Sequence, residues 1–223
     1  RYTNLKNTNQ FISFISLTSI IGITLGVMAL IIVLSVMNGF QSELKSRILS
    51  VTSHIEITKP GRDLNNWQQT KKTINKDMGI DGVSPYVEDQ AMISVGKRNR
   101  GVIVRGIFPE IEKDVSDINT KISSGAYRLN EGQYDILIGV DLARYLGVSL
   151  GDKVAMISSK SNFSAAGIMP RIKRFNISGI FDSGMYEYDA GLALINLKDA
   201  QTFFKKNKNV SGLRVELNNI DDT

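Results

Sequence analysis

The sequence predicts an α+β protein in which one membrane-spanning helix precedes a soluble region of mixed helices and strands. Two observations support this class: a long apolar run near the start of the chain, and short alternating strand patterns interleaved with helical ones after it. The chain has 223 residues, of which 42% are hydrophobic and 22% are charged. That composition is enough for one transmembrane helix and a soluble region of one or two small domains.

The apolar run extends from Phe11 to Met37 and contains no charged residue. Because about 20 helical residues, rising about 1.5 Å each, cross a hydrocarbon core of about 30 Å, the run is long enough to span a membrane. A secretory signal has a shorter apolar region, of about 7–15 residues, that ends at a small-residue cleavage site. We therefore predict a membrane-spanning helix, whose orientation the flanking charges do not decide.

The helical pattern continues beyond the apolar run as an amphipathic stalk. Apolar residues recur there at spacings of four, four and three, with polar residues on the other side: Phe40, Leu44, Ile48 and Val51. Within the run, Gly22 and Gly26 form a GxxxG pair. Since small residues let a second membrane helix approach closely, this pair is a candidate for helix packing.

The soluble region is predicted to alternate between strands and helices. Predicted strands lie at 54–58, 86–95, 101–107, 135–139, 153–157, 173–181, 192–195 and 212–217. Predicted helices lie at 67–78, from 109, at 140–146 and at 198–204. The basic segment Lys97–Arg100 falls in a turn between two of the strands. It is interpreted either as a solvated loop tip or as a contact with anionic lipid headgroups.

No catalytic, cofactor or metal site is predicted. The absence of cysteine excludes a disulfide framework, a thiolate metal site and a catalytic thiol. His54 is the single histidine and has no recognisable partner as a ligand or base. The acidic groups at 110–117 and 182–189 are interpreted as solvated faces rather than as glycosidase-type carboxylate pairs. No Walker A loop and no nucleic-acid-binding motif is present, so any energy source must lie in another subunit.

One connection between two predicted strands is long. It runs from Ser158 to Arg174, whereas hairpin connections commonly have about two to five residues. It carries apolar residues that a passive loop would more often replace with polar ones: Phe163, Ile168, Met169 and Pro170. Long loops of this kind are often functional or disordered, which makes this segment a candidate binding site.

Residues 22–30 and 34–40, the latter ending in Met-Asn-Gly-Phe, resemble the first transmembrane helix of the LolC/LolE permeases. These are the membrane subunits of the lipoprotein-releasing ABC transporter of Gram-negative bacteria. The resemblance implies that the helix lies in the inner membrane and that everything after about Phe40 is periplasmic. It implies a membrane helix and stalk at 1–51 and a MacB-like periplasmic domain, with an α/β porter part at 52–106 and 191–223 and an inserted β-rich sabre part at 107–190.

The same resemblance implies a function and partners. The permease would release outer-membrane lipoproteins from the inner membrane and pass them to the periplasmic carrier LolA. A separate LolD-like ATPase would drive it, beside a second permease copy or a LolE-like paralogue, among membrane lipids. The helix end would contact lipoprotein acyl chains through Met37, Phe40, Leu44 and Ile48. A hook in the 158–174 segment would bind LolA through Phe163, Ile168, Met169, Pro170 and Arg171, which favours a LolC-like or LolF-type subunit.

Two alternatives keep the same membrane architecture without lipoprotein handling. A MacB-like efflux subunit would carry an ATPase domain fused before Arg1. A regulatory subunit of the FtsX type would lack both the hook and the Met-Asn-Gly-Phe sequence. Since the chain starts at Arg1 and ends on a sequence that resembles a helix start, Asp221 to Thr223, we expect a piece of a longer protein. The resemblance to the permeases implies that further membrane helices follow this domain.

Overall fold

The computed structural model of the protein describes residues 10–49, 53, 55–61, 63–74, 79–164 and 167–217, with the side chains of 10–12, 45–49 and 160–169 excepted. The chain divides into two compact units at Ser46 and Arg47. Its helices and strands are α1 Gln10–Leu49, β1 Ile55–Thr58, α2 Trp67–Ile74, β2 Ile80–Val95, β3 Arg98–Ile107, α3 Pro109–Glu112, a 3-10 helix Asp117–Lys121, β4 Ile122–Gly125, β5 Asp135–Gly139, α4 Val140–Leu146, β6 Lys153–Ser164, β7 Gly167–Phe181, α5 Tyr186–Gly191, β8 Leu192–Asn196, α6 Leu197–Phe204 and β9 Gly212–Leu217.

The first unit is the greater part of α1. This helix is continuous over 40 residues, so the predicted extension of the apolar run into a stalk is confirmed up to Leu49. At about 1.5 Å per residue it is roughly 60 Å long, about twice the thickness of a hydrocarbon core. The part from Ser13 to Leu44 is long and apolar enough to cross a membrane, and its side chains are exposed in the chain. Val51, the last residue of the predicted stripe, lies outside the described residues.

The second unit is built on a nine-stranded sheet. Its strand order is β1-β9-β2-β3-β8-β5-β7-β4, and β6 pairs with both β2 and β7. The β3–β8 and β5–β7 pairs are parallel, and the other pairs are antiparallel. Residues 80–86 of β2 pair with β9, and residues 87–95 pair with β3. Six of the strands, β2, β3, β8, β5, β7 and β6, pair in a closed ring, and the long strand β2 joins this ring to β9 and β1.

The two faces of the sheet bury separate cores, because successive side chains of a strand point to opposite faces. The larger core lies under α4 and α6 and includes Val104, Ile138 and Ile195. The smaller core lies on the other face and includes Ile107, Leu137, Phe181, Leu192 and Leu194. On that second face the side chains of Met92, Ile103 and Ile172 remain exposed. The inner face of the ring of strands is thus filled by the larger core, and its outer face is only partly covered.

Most of the predicted elements are confirmed, and β5, α4 and β9 have the predicted bounds. The predicted strand at 86–95 was too short, since β2 starts at Ile80. Gly82 and Pro85 hid this start, because both residues are depleted in strands. Gly82 is needed there because a Cβ at its position would lie 2.2 Å from the carbonyl oxygen of Asp114. The 3-10 helix, β4 and α5 were not predicted. His54 and residues 75–78, included in predicted elements, lie outside the described residues.

The segment 158–174 was wrongly predicted as a loop. It is an extension of two strands, β6 reaching Ser164 and β7 starting at Gly167. Its serine-rich sequence lacks the apolar alternation of a half-buried strand, which is why periodicity did not identify it. The division into porter and sabre parts stays a prediction. In the sheet, β8 from the first part pairs with β3 of the same part and with β5 of the second.

Candidate functional site

The predicted acyl-chain residues lie on the second half of α1. Met37, Phe40 and Leu44 follow one another at helical spacings of three and four, and each is exposed in the chain. The side chain of Ile48 lies outside the described ones. At Gly22 and Gly26 an added Cβ would meet no atom within 4 Å, so the helix surface is open there. The apolar surface of α1 is thus available to lipid or to another chain, and the roles of these residues stay predictions.

The predicted hook is a two-stranded hairpin. Through Ser158, β6 is also paired with β2. From Ser161 opposite Pro170 to Ser164 opposite Gly167, the two strands pair only with each other among the described residues. We call residues 161–164 and 167–170 the hairpin arm. Pro170 is exposed, and the side chains of the other apolar hook residues lie outside the described ones: Phe163, Ile168 and Met169.

The base of the hairpin arm is fixed to the larger core. Arg171 is half-buried, and its Nη1 donates a hydrogen bond of 2.6 Å to the carbonyl oxygen of Phe203 in α6. Two residues on, the Lys173 ammonium lies 3.8 Å from the ring centroid of Tyr134. That ring meets Phe175 edge-on at 5.5 Å. Sequence analysis assigned Arg171 only to partner binding, whereas this contact also gives it a part in holding the arm in place.

A buried ionic cluster, which the sequence analysis did not predict, lies where the chain enters the second unit. Arg214 of β9 and Glu112 of α3 form an ion pair with side chains only 1% and 2% exposed. Ser84 Oγ donates to Glu112 Oε2 at 2.7 Å, and Arg214 Nε donates to Ser53 Oγ at 3.3 Å. Burial raises the pKa of Glu112, and the nearby Arg214 charge and the Ser84 hydrogen bond oppose that rise. The cluster joins the entering chain to β2, β9 and α3.

A second ionic pair lies beside this cluster on the same face of β2. Arg105 Nη2 lies 2.8 Å from Glu88 Oε2, and the Arg105 guanidinium is 5.7 Å from the ring centroid of Tyr86. Tyr86 Oη donates to Glu56 at 3.1 Å. Burial, together with the Glu56 charge, raises the pKa of Tyr86, so its hydroxyl stays protonated as a donor. The polar residues of this region are therefore connected from β1 to β3.

The interpretation of both acidic groups as solvated faces was wrong in part. Glu112 and Asp189 are buried, while Glu110 and Glu187 are exposed. Asp189 Oδ1 accepts hydrogen bonds from the backbone N–H and the hydroxyl of Ser183, at 2.9 and 2.8 Å. These carboxylates are structural, since each is engaged by nearby donors. Within the described ranges no cluster of His, Cys, Asp and Glu side chains could hold a metal ion.

The basic turn is shorter and better packed than predicted. Val95 pairs with Arg98, so only Gly96 and Lys97 form the turn. Arg98 Nη1 donates to the Tyr145 carbonyl oxygen at 3.4 Å, and the Arg100 guanidinium lies 5.4 Å from the Tyr145 ring centroid. Of the three cations in the basic segment Lys97–Arg100, Arg98 and Arg100 therefore contact α4.

The chain is similar to several known proteins. The chain is 40% identical, over 99% of its length and 53% of the relative, to the lipoprotein-releasing system transmembrane protein LolC of Xylella fastidiosa. It is 32% identical to the LolE protein of that system from Haemophilus influenzae, over 91% of this chain and 50% of the relative. The extracellular domain of the noncanonic ABC-type transporter YknZ from Gram-positive bacteria is similar in structure with a TM-score of 0.49 and 14% identity, covering 75% of this chain and 85% of that one.

These relatives confirm the resemblance to the LolC/LolE permeases that the first helix suggested. The chain spans about half the length of the curated relatives it matches. With its long apolar α1 it is a membrane protein. The family model of the MacB-like periplasmic core domain matches residues 16–223, and the chain belongs to that family.

Proposed function

We propose that this chain is the first membrane helix and periplasmic domain of a permease subunit that releases outer-membrane lipoproteins from the inner membrane. Identity of 40% to a LolC protein over nearly the whole chain is the observation that carries this proposal. That level of identity favours lipoprotein release over a regulatory or efflux subunit of the FtsX or MacB type. A separate LolD-like ATPase supplies the energy, and a second permease copy or a LolE-like paralogue completes the membrane part.

The helix α1 supplies the surface that holds the lipid. Its exposed side chains combine a flexible thioether at Met37 with an aromatic ring at Phe40. A thioether side chain adapts to partners of variable shape, as acyl chains are. The proposal therefore assigns this part of α1 to the acyl chains of the lipoprotein, before the lipoprotein passes to the carrier.

A photo-crosslinking amino acid at Met37 is expected to capture lipoprotein in the assembled complex, and more of it without ATP than with it. The physical reason is that the acyl chains occupy the helix surface until ATP-driven closure expels them. Adducts are measured by immunoblot against a lipoprotein in membranes. The matched control is the same amino acid at Lys208, an exposed residue of the soluble unit, which should give none. An active complex without any Met37 adduct would assign this surface to helix packing instead.

The hairpin arm is the proposed docking element for LolA. It carries an exposed proline and several apolar residues on two strands whose described pairing is only with each other. Proline removes a backbone donor and fixes φ, which lowers the ordering cost of binding and discourages pairing with other strands. A pre-formed arm of this kind suits a carrier that must bind briefly and leave loaded.

Replacing Pro170 and Arg171 together by serine is expected to weaken LolA binding at least tenfold, equivalent to about 1.4 kcal/mol. Binding is measured by surface plasmon resonance on the permease complex in nanodiscs, without lipoprotein or ATP. Lys208→Ser removes an exposed cation elsewhere and should leave the affinity unchanged. Arg171→Lys separates the two roles of Arg171, because it keeps the charge but changes the contact with Phe203. Unchanged affinity of the double variant would remove the arm from carrier binding.

A further inference from the structure

A pocket of about 670 Å³ lies in the second unit, between the end of β1 and the connection from α6 to β9. We call it the polar pocket. Besides Gly61, the described residues that line it are Lys59, Asp63, Asn65, Lys206, Asn209 and Ser211. None of these residues carries an aromatic or branched aliphatic side chain. The polar pocket is within the size range of small-molecule sites, and its lining suits a hydrophilic ligand rather than an acyl chain.

The backbone holds the two walls of the polar pocket together. The Leu64 N–H donates to the Val210 carbonyl oxygen at 2.7 Å, and the Val210 N–H donates to the Leu64 carbonyl oxygen at 3.2 Å. Ser211 is fixed to β2, because its N–H donates to the Tyr86 carbonyl oxygen at 2.8 Å and its hydroxyl accepts from the Glu88 N–H at 2.9 Å. Walls that are already ordered lose little conformational entropy when a ligand binds.

The charges of the polar pocket do not cancel. Lys206 Nζ lies 2.6 Å from Asp63 Oδ1, and the two side chains are 13% and 30% exposed. This ion pair neutralises itself. Asp63 is the only carboxylate among the described lining residues, whereas Lys59 adds a second, exposed ammonium group. The lining therefore keeps one net positive charge, which belongs to Lys59.

Two asparagines add neutral donors to these cations. The backbone of Asn209 is already engaged, since its N–H donates to the Lys206 carbonyl oxygen and its own carbonyl oxygen accepts from Gln201 Nε2, both at 3.0 Å. Asn65 is exposed in the other segment of the wall. An asparagine amide has two N–H donors and an ammonium group has three. Such a set of donors, with a net positive charge, is suited to an oxyanion.

We propose that the polar pocket binds a phosphate group, with Lys59 as its main positively charged contact. A phosphate group carries about −1.5 to −2 charges near pH 7 and three strong acceptor oxygens, so it uses both the charge and several donors. A lysine ammonium is a common phosphate ligand, because it is a compact charge with three donors. A carboxylate has one charge and two oxygens, and it would use fewer of these groups. The phosphate belongs either to a phospholipid headgroup or to a free phosphate monoester.

Equilibrium dialysis of radiolabelled inorganic phosphate against the full-length protein in a neutral detergent tests the proposal. The ionic strength is kept low, because salt screens exposed charges. Saturable binding is expected. Lys59→Glu should weaken it at least about tenfold, since a repelling charge replaces an attracting one, and Asp63→Asn should strengthen it at least about twofold. Lys153→Glu makes the same charge change at an exposed residue of β6 outside the lining, and should leave the affinity within about twofold.

Two competitors distinguish the sources of the phosphate. Displacement by glycerophosphoglycerol, a phosphodiester, would assign the polar pocket to a phospholipid headgroup, and displacement by glucose 6-phosphate alone would assign it to a free monoester. Stronger binding by Asp63→Asn separates a charge effect from misfolding, since a misfolded pocket would not bind more tightly. Absence of saturable binding, or equal affinities of Lys59→Glu and Lys153→Glu, would overturn the proposal. None of these outcomes bears on lipoprotein release, which is measured separately.

Discussion

Replacing Arg214 by alanine is expected to lower the free energy of unfolding of the second unit by about 3–5 kcal/mol. The change leaves the Glu112 carboxylate buried without its arginine partner, although the Ser84 hydroxyl still donates to it. It also removes the donor that Arg214 Nε supplies to Ser53. A loss of this size lowers the melting temperature by at least about 6 °C in a domain of this length. The measurement is a thermal melt of the protein in detergent, followed by far-UV circular dichroism.

Two variants show whether the buried charge is the cause. Arg214→Met combined with Glu112→Leu removes both charges and keeps side-chain volume, so it should be near neutral or stabilising. Glu131→Gln breaks the ion pair with Lys198, whose side chains are 58% and 52% exposed. That change should cost about 1 kcal/mol or less, because water screens an exposed pair. If Arg214→Ala melts like Glu131→Gln, the cluster does not stabilise the fold.

This cluster shows where sequence reasoning fails. In the strand around Arg214, an arginine between Leu213 and Val215 has the alternation of a half-exposed strand. Its partner Glu112 is 102 residues away and was assigned to a solvated acidic face. Neither residue carries a local signal of burial, since burial of each depends on the charge of the other. The periodicity of a sequence therefore does not predict ion pairs between distant segments.

Elements set by local signals were predicted well. The helix α4 ends at Gly147, whose φ of 70° is the left-handed conformation that glycine adopts without a steric cost. Its start follows directly on a buried strand, and both bounds were predicted. β2 was cut short because Gly82 and Pro85 interrupt its pattern, although tertiary contacts require the glycine. Local chemistry thus identified most elements, and non-local contacts decided the exceptions.

The candidate sites, too, were predicted where a local signal existed and missed where only non-local contacts form them. Apolar residues in a long connection pointed to the hairpin arm, because composition alone made them unusual for a loop. The exposed apolar row on the outer face of β2, β3 and β6 was missed, since Met92, Ile103 and Ile157 each fit an ordinary half-buried strand. Only the register, which aligns them, and the partial cover of that face make them one surface. A sequence pattern predicts which side chains share one face of a strand, but not which other element packs against that face.

Leu44→Glu is expected to abolish lipoprotein release in a complementation assay, the largest functional effect we predict. Leu44 is the last residue of the membrane-spanning part of α1 and continues the apolar stripe of Phe40. Whether that stripe meets lipid, acyl chains or a partner helix, an unpaired carboxylate there must lose its water. Burying a charge without a partner costs several kcal/mol, enough to displace the helix from its place.

The matched change is Lys45→Glu, one residue further along the same helix. Lys45 belongs to the polar side of the stalk in the sequence pattern, so a carboxylate there stays hydrated and costs little. Both variants are compared at equal expression, with membrane insertion verified by protease protection. Growth with Lys45→Glu but not with Leu44→Glu indicates that the stripe is buried in the working complex. Equal growth with both would mean that this part of α1 faces water, and the acyl-chain site would then have to lie nearer Met37.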